Sequence, residues 1–419
     1  MKKLIAGFLA LFFILPCGCA KTPDEVKANM RQYNRNVGVV SEAEKKYSAA
    51  SGLLDGEDAV LHAKYQNLTM PERISLQPVK SIPKVAFRQS NDFDGKYREI
   101  MSLFFDKPTL DGEKIAKTVR PYNDISYQFD DSARKIYAAV CNNGMVAMMQ
   151  NDAYDLCFQE VGKERVGLIH IDRGDSLDAS YPLLDKKYPV RDAVNFVQKW
   201  IDEHWAKYEP DFTFRVKTVQ VRKFDEAHFF YCIRVEKLYR NIPLDELADA
   251  KGVFDKSKMR GYFTRTRSMI NIEMMRSATV SSFSCGCGCI RPVKTDDSVK
   301  QYITLQIAAK MVEAKLSGFK DIHISDIGLK YTLCPKYDYV GKLIKKDKSG
   351  EQYQTQTTSS PGITLTSEPV WAFIIDVDPK DYKKKDGSIF EGDARKYVYV
   401  DVFTGALELR MDYTPTLGA

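Results

Sequence analysis

The residues best suited to chemistry are three cysteines on alternate positions, in Ser284-Cys285-Gly286-Cys287-Gly288-Cys289. Thiolates at Cys285, Cys287 and Cys289 suit a thiophilic ion such as Cu(I) or Zn. In an extended strand the three side chains share one face, which sets Cys285 too far from Cys289 for a single site unless the glycines fold the chain. No pair of C-x-x-C motifs accompanies them and no histidine is near in sequence. A disulfide between Cys285 and Cys289, or a pairing with Cys232 or Cys334, is the competing reading. No other cofactor is expected.

Other chemistries leave weaker marks. The histidines are His62, His170, His204, His228 and His323, and none sits in an H-E-x-x-H pattern. His170 and His323 fall in apolar strand-like runs, and His204 lies beside Trp205 on a helical stretch. Ser132–Lys135 and Ser317–Lys320 match S-x-x-K, but the S-D-N and K-T-G partners of penicillin-binding enzymes are missing. No G-x-S-x-G, phosphate loop or G-x-G-x-x-G occurs. Asp376, Asp378, Asp381, Asp386 and Asp393 cluster near a polar insertion, yet Lys380 and the lysines at 383–385 oppose a Ca²⁺ loop. A hydrolase built from scattered residues would leave no linear motif and stays open as an alternative.

A single cysteine near the start carries a different chemistry. Met1-Lys2-Lys3 is a short basic region, and Leu4 to Leu15 is an unbroken apolar run. That run suits a signal-peptide core and falls short of the roughly 20 apolar residues that cross a bilayer. It ends in Pro16-Cys17-Gly18-Cys19-Ala20. Lipoprotein processing needs a small residue before the modified cysteine, so Gly18 favours Cys19 over Cys17. Residues 1–19 are therefore expected to be a lipoprotein signal peptide, with Cys19 lipidated and the chain anchored on the extracytoplasmic face of the cell membrane. Beyond Cys19 stand Cys141, Cys157, Cys232, Cys285, Cys287, Cys289 and Cys334, an odd set that leaves at least one thiol outside any disulfide pairing.

The elements that would position these groups follow from composition and periodicity. Hydrophobic residues make up 44% and charged residues 28%, the balance of a globular chain. A net charge of +6, spread among nearly as many acids, excludes a dedicated nucleic-acid binder. Thr22 to about Val40 is expected to be a helix, and residues 20–106 an N-terminal helical segment with a short helix near Lys96–Phe105. Residues 107–296 are expected to hold a β-rich region and a first helix-and-sheet module. Within them, Lys135–Asn142 and Met145–Gln150 flank Asn143-Gly144, a strong hairpin turn. Arg165–Ile171 is a further strand. Val190, Ala193, Val194, Val197, Trp200, Ile201 and Trp205 form one face of a helix from Val190 to Tyr208. Strands follow at Phe212–Phe224, His228–Tyr239, Thr264–Met275 and Ala278–Ser284. Residues 297–419 are expected to form a second module. Its helix runs from Ser298 to Ser317, and its strands lie at His323–Leu333, Pro369–Asp376, Lys396–Asp401 and Ala406–Met411. Gly341–Gly362 and Lys380–Asp393 are expected as polar surface loops.

Certain strand segments carry a family resemblance. Tyr231-Cys-Ile-Arg-Val-Glu-Lys-Leu-Tyr-Arg-Asn-Ile-Pro-Leu-Asp245 resembles the strand and turn of PepSY-like modules, with Asn241 standing where Gly is common. Ile327–Tyr331, Glu368–Phe373 and Tyr399–Leu407 follow in the order of that superfamily's last strands. The stretch Pro189–Asp412 is similar to the membrane-tethered accessory regulators of the WalK sensor kinase and to uncharacterised Firmicutes lipoproteins. The resemblance implies an α+β fold of tandem modules, each one helix packed on a curled antiparallel sheet (PepSY/cystatin-like), after the N-terminal helical segment. It also implies protein interaction rather than catalysis. The expectation is a non-enzymatic, lipid-anchored binding or regulatory protein that engages another envelope protein, with the metal or thiol role of Cys285, Cys287 and Cys289 as an alternative.

Overall fold

The computed structural model describes residues 47–48, 60–74, 76, 79–90, 92–120, 124–158, 164–244, 270–286, 288–299, 301–317, 322–335, 339–347, 350–357, 364–377 and 394–413. The strands, in chain order, are β1 (Tyr47–Ser48), β2 (Leu68–Thr69), β3 (Lys84–Gln89), β4 (Ala116–Arg120), β5 (Asp124–Asp131), β6 (Ile136–Cys141), β7 (Val146–Gln150), β8 (Arg165–His170), β9 (Ser180–Pro182), β10 (Lys187–Pro189), β11 (Thr213–Lys223), β12 (Phe229–Tyr239), β13 (Ile242–Pro243), β14 (Ile270–Met274), β15 (Ser282–Cys285), β16 (Ile290–Asp296), β17 (Tyr302–Ile303), β18 (Ile322–Pro335), β19 (Tyr339–Asp347), β20 (Gly350–Thr357), β21 (Thr364–Val377), β22 (Ala394–Asp401) and β23 (Leu407–Tyr413). The α-helices are α1 (Tyr97–Met101), α2 (Lys107–Gly112), α3 (Asp152–Phe158), α4 (Val190–Trp200) and α5 (Leu305–Lys315).

These elements overturn the expected tandem PepSY/cystatin-like α+β modules. Among the described residues the structure is mostly β and includes a half-barrel. Ten strands form one sheet, in the order β4-β5-β6-β7-β15-β14-β12-β11-β8, with β13 attached to β12. Seven form a second, β16-β3-β21-β18-β2, with β22 and β23 extending from β21. The physical reason is long-range pairing. β15 lies beside β7, so the Asn143-Gly144 hairpin and the strands after α4 share one ladder. β3, from the segment expected to be helical, pairs with both β16 and β21. A small module under one helix would have left those edges open, and unpaired backbone groups favour joining ladders.

Local signals fare better. Gly144 takes φ +80 in the hairpin turn, and Asn241 takes φ +66 in the turn after β12. Asn tolerates that left-handed conformation best among residues with a side chain. The helix expected at Val190–Tyr208 is present as α4, continuing through a π turn at Ile201–Trp205 and a 3-10 turn at Ala206–Tyr208. Its face of Val190, Ala193, Val194, Val197, Ile201 and Trp205 is buried. Trp205 packs on Phe283 of β15 at 4.8 Å between ring centroids. α5 starts later than expected, because Tyr302–Ile303 pairs with β1 and Thr304 caps the Ile307 N–H. It rests on the second sheet, where fully buried Trp371 donates its indole N–H to the Ile303 carbonyl at 2.8 Å. Burying a side chain of that size stabilises by about 2–3 kcal/mol.

The Gly341–Gly362 insertion, expected as a loop, contains most of the β19–β20 antiparallel ribbon. The helix expected at Thr22–Val40 and the loop expected at Lys380–Asp393 lie outside the described residues.

Candidate functional site

The Cys285–Cys289 segment is a packing clamp. Cys285 ends β15 opposite Val146, and Cys289 precedes β16; their exposures are 0% and 1%. The Cys285 thiol donates to the Gly288 carbonyl at 3.7 Å. The Cys289 N–H donates to the Asn143 carbonyl at 2.9 Å, and the Ser90 N–H donates to the Cys289 carbonyl at 2.8 Å. The segment thus grips the tip of the β6–β7 hairpin. Gly288 takes φ +70, and a Cβ there would lie 2.5 Å from the Asn143 carbonyl oxygen. Cys287 lies outside the described residues, as does Cys19. Among the described residues no group of three His, Cys, Asp or Glu is placed to hold a metal ion.

A buried ion pair anchors the clamp. Lys237 of β12 donates to Glu209 at 2.8 Å and to the Gly288 carbonyl at 2.9 Å. Glu209 also accepts from the Ile290 N–H at 3.1 Å and from the Trp205 indole N–H at 3.3 Å. Both charged side chains are 0% exposed. The pair therefore joins the end of the α4 helical run, the first sheet and the first residue of β16 in the second sheet.

The site with the strongest unmet demand lies elsewhere, in a polar cleft between the two sheets. It has a larger and a smaller lobe, which share Arg173, Lys217, Asp326 and Lys330. Two β-bulges build it. In β11 the register shifts between Val216 and Thr218. Phe214, Val216, Val219 and Val221 stay in the core on either side of that shift, while Arg215, Lys217, Thr218 and Gln220 line the cleft. A bulge adds one residue and re-aims its neighbours. In β18 a similar shift falls between Ile324 and Asp326, after which Asp326, Gly328 and Lys330 line the cleft. β12 contributes Arg234 and Glu236, and the turn after β8 contributes Asp172 and Arg173.

The electrostatics are unbalanced. Five cations, Arg173, Arg215, Lys217, Arg234 and Lys330, face three carboxylates, Asp172, Glu236 and Asp326. Glu236, 3% exposed, accepts from the Arg215 Nε–H at 2.7 Å and lies 3.9 Å from Lys217 Nζ. Asp326 pairs with Arg173 across the sheets at 3.1 Å. Among the described residues, Lys330 and Arg234 form no ion pair. Lys330 is only 6% exposed. Four buried side-chain polar atoms among the described residues lack a hydrogen-bond partner, and three of them, Asp172 Oδ1, Arg173 Nε and Thr218 Oγ1, belong to cleft residues. A buried polar group without a partner costs about 1–3 kcal/mol. Three at one place mark a site shaped for something that supplies the missing bonds.

The residues singled out in the sequence scatter around this cleft. His170 lines one lobe. His204 stacks near Trp200, His228 bonds Asp225, His323 pairs in register with Thr69, and His62 is exposed. Lys135 pairs with Asp155 rather than with Ser132. Asp376 lies on β21, while Asp378, Asp381, Asp386 and Asp393 lie outside the described residues. Burial pushes the Cys232 thiol up, and its sulfur lies 3.7 Å from Glu273 of β14. Sequence reasoning missed Arg173, Arg215, Lys217, Thr218, Arg234, Glu236, Asp326 and Lys330. Their one local signal is a run of charged residues inside otherwise apolar strands, which also describes a solvated strand face.

No protein-family model matches the chain, and no curated protein does. A solved structure, that of an uncharacterized protein from Eubacterium rectale, is similar in fold. The two superpose with a TM-score of 0.52 at 13% identity, covering 83% of this chain and 92% of that one. At that identity the likeness concerns the fold alone. Among the described residues no helix is long and apolar enough to cross a membrane.

Proposed function

We propose that the chain is a non-catalytic binding protein of the cell envelope, held on the extracytoplasmic face of the membrane by lipid on Cys19. It engages another envelope protein across the mouth of the inter-sheet cleft. The observation that carries this reading is the concentration of three of the four unsatisfied buried polar atoms on cleft residues. Two of the three cleft carboxylates are poor candidates for a catalytic base, because Asp326 is tied to Arg173, and Glu236 to Arg215 and Lys217. Intact cells carrying the wild type and Gly328→Leu are to be crosslinked and the anchored protein recovered. Gly328 lines the cleft, and a Cβ there meets only Lys330, at 3.4 Å and beyond. A specific envelope protein recovered with the wild type and lost with Gly328→Leu supports the reading. Recovery of no specific partner, or of the same partner from both, overturns it.

A further inference from the structure

We infer that the inter-sheet cleft is a binding site for a protonated oxyanion of the phosphate class. The inference rests on reading the cleft as the recognition site, and it specifies the chemistry recognised there.

Three features of the cleft define its ligand. The first is charge. Lys330 is buried in the wall shared by both lobes, and Arg234 lines the second lobe; neither meets a carboxylate among the described residues. A buried ammonium is costly unless an anion pairs with it. The second is hydrogen bonding. Arg173 Nε and Thr218 Oγ1 are buried without partners. The guanidinium nitrogen can only donate, and the hydroxyl has a proton to donate, so an oxyanion satisfies both. The third is the opposite demand of Asp172, whose Oδ1 is buried without a donor. An ionised carboxylate can only accept. A ligand that offers several acceptor oxygens and at least one O–H meets all of these demands together. Monohydrogen phosphate and dihydrogen phosphate fit; sulfate, which has no proton near neutral pH, leaves Asp172 facing another anion. The other two carboxylates do not repel the ligand at full strength, because Glu236 and Asp326 are neutralised by Arg215, Lys217 and Arg173.

The test is calorimetric titration of the purified full chain with inorganic phosphate and, separately, with sulfate and acetate at low ionic strength. Saturable phosphate binding is expected, weaker by about tenfold or more for sulfate and for acetate. Lys330→Met and Thr218→Val are each expected to weaken phosphate by about tenfold, and Lys330→Arg to retain it. Thr218→Val keeps shape at a buried position, so it serves if Lys330→Met does not fold. No saturable phosphate binding by the wild type overturns the inference. So does unchanged binding in the folded variants, which would place the ion elsewhere. Equal affinity for sulfate removes the role given to Asp172 and overturns the protonated-oxyanion assignment. A cleft-dependent protein partner without phosphate binding would leave the proposed function standing and this inference refuted. Phosphate binding without such a partner would do the reverse.

Discussion

Lys237→Met is the most informative single perturbation of the fold. Lys237 and Glu209 are both 0% exposed, and Lys237 also donates to the Gly288 carbonyl at 2.9 Å. Removing one member of a buried pair leaves the other charge without compensation, at a cost of about 3–5 kcal/mol. The lost bond to Gly288 adds about 1 kcal/mol, offset in part by the apolar stem of Met filling the same volume. A net loss of about 3–5 kcal/mol is therefore expected. The double variant Lys237→Met with Glu209→Gln behaves differently. Its amide oxygen would still accept from the Ile290 N–H, while the amide nitrogen, in place of Oε2, would lose the bond from the Trp205 indole. With no stranded charge, the double variant is expected to lose only about 1–2 kcal/mol, about 2–3 kcal/mol less than Lys237→Met alone. Urea unfolding read at constant slope measures both. A loss under about 1 kcal/mol for the single variant, or a double variant no more stable than the single, would refute the role given to this junction.

Further outcomes follow from single positions. Gly288→Ala meets both a positive φ and the Asn143 carbonyl at 2.5 Å, so a loss of at least about 1–3 kcal/mol is expected in thermal unfolding. An unchanged midpoint would contradict the clamp. Burial holds the Glu273 carboxyl above its ordinary value of 4.5, so the neutral form is favoured in the folded state. Its contribution is then full below that value and is lost as pH rises through the folded pKa. Glu273→Gln is expected to raise stability near pH 7 and leave it unchanged near pH 4; destabilisation near pH 7 would count against the assignment. Cys19→Ser is expected to abolish palmitate labelling and membrane association in cells, and retention of both would remove the anchor.

The parts legible in the sequence are those fixed by local chemistry. Asn143-Gly144 marks a two-residue turn because Gly adopts φ +80 freely, and the apolar face from Val190 to Trp205 marks a helix through its period. Pairing order is not legible. Nothing in Lys84–Gln89 says that it lies between β16 and β21, because alternation specifies a strand and not its neighbours. The β19–β20 ribbon reads as a loop because its Lys- and Gln-rich sequence offers no clear apolar face. The cleft is hidden for a related reason. Lys217 and Arg234 come from the consecutive strands β11 and β12 but Lys330 comes from β18 in the other sheet, and a buried lysine and a solvated one look alike until the facing sheet is in place. The Cys285–Cys289 pattern draws attention through its thiols, whereas the glycine at 288 is explained by close approach to the hairpin.

Recognition through the inter-sheet cleft is tested most directly by a photoreactive residue placed in living cells at Asn241, which lines the larger lobe, with Val119 as the control. Val119 is 63% exposed on β4, the outermost strand of the first sheet. A discrete adduct with an envelope protein from position 241, absent from position 119, is the predicted result. No adduct at 241, or the same adducts from both positions, would contradict it.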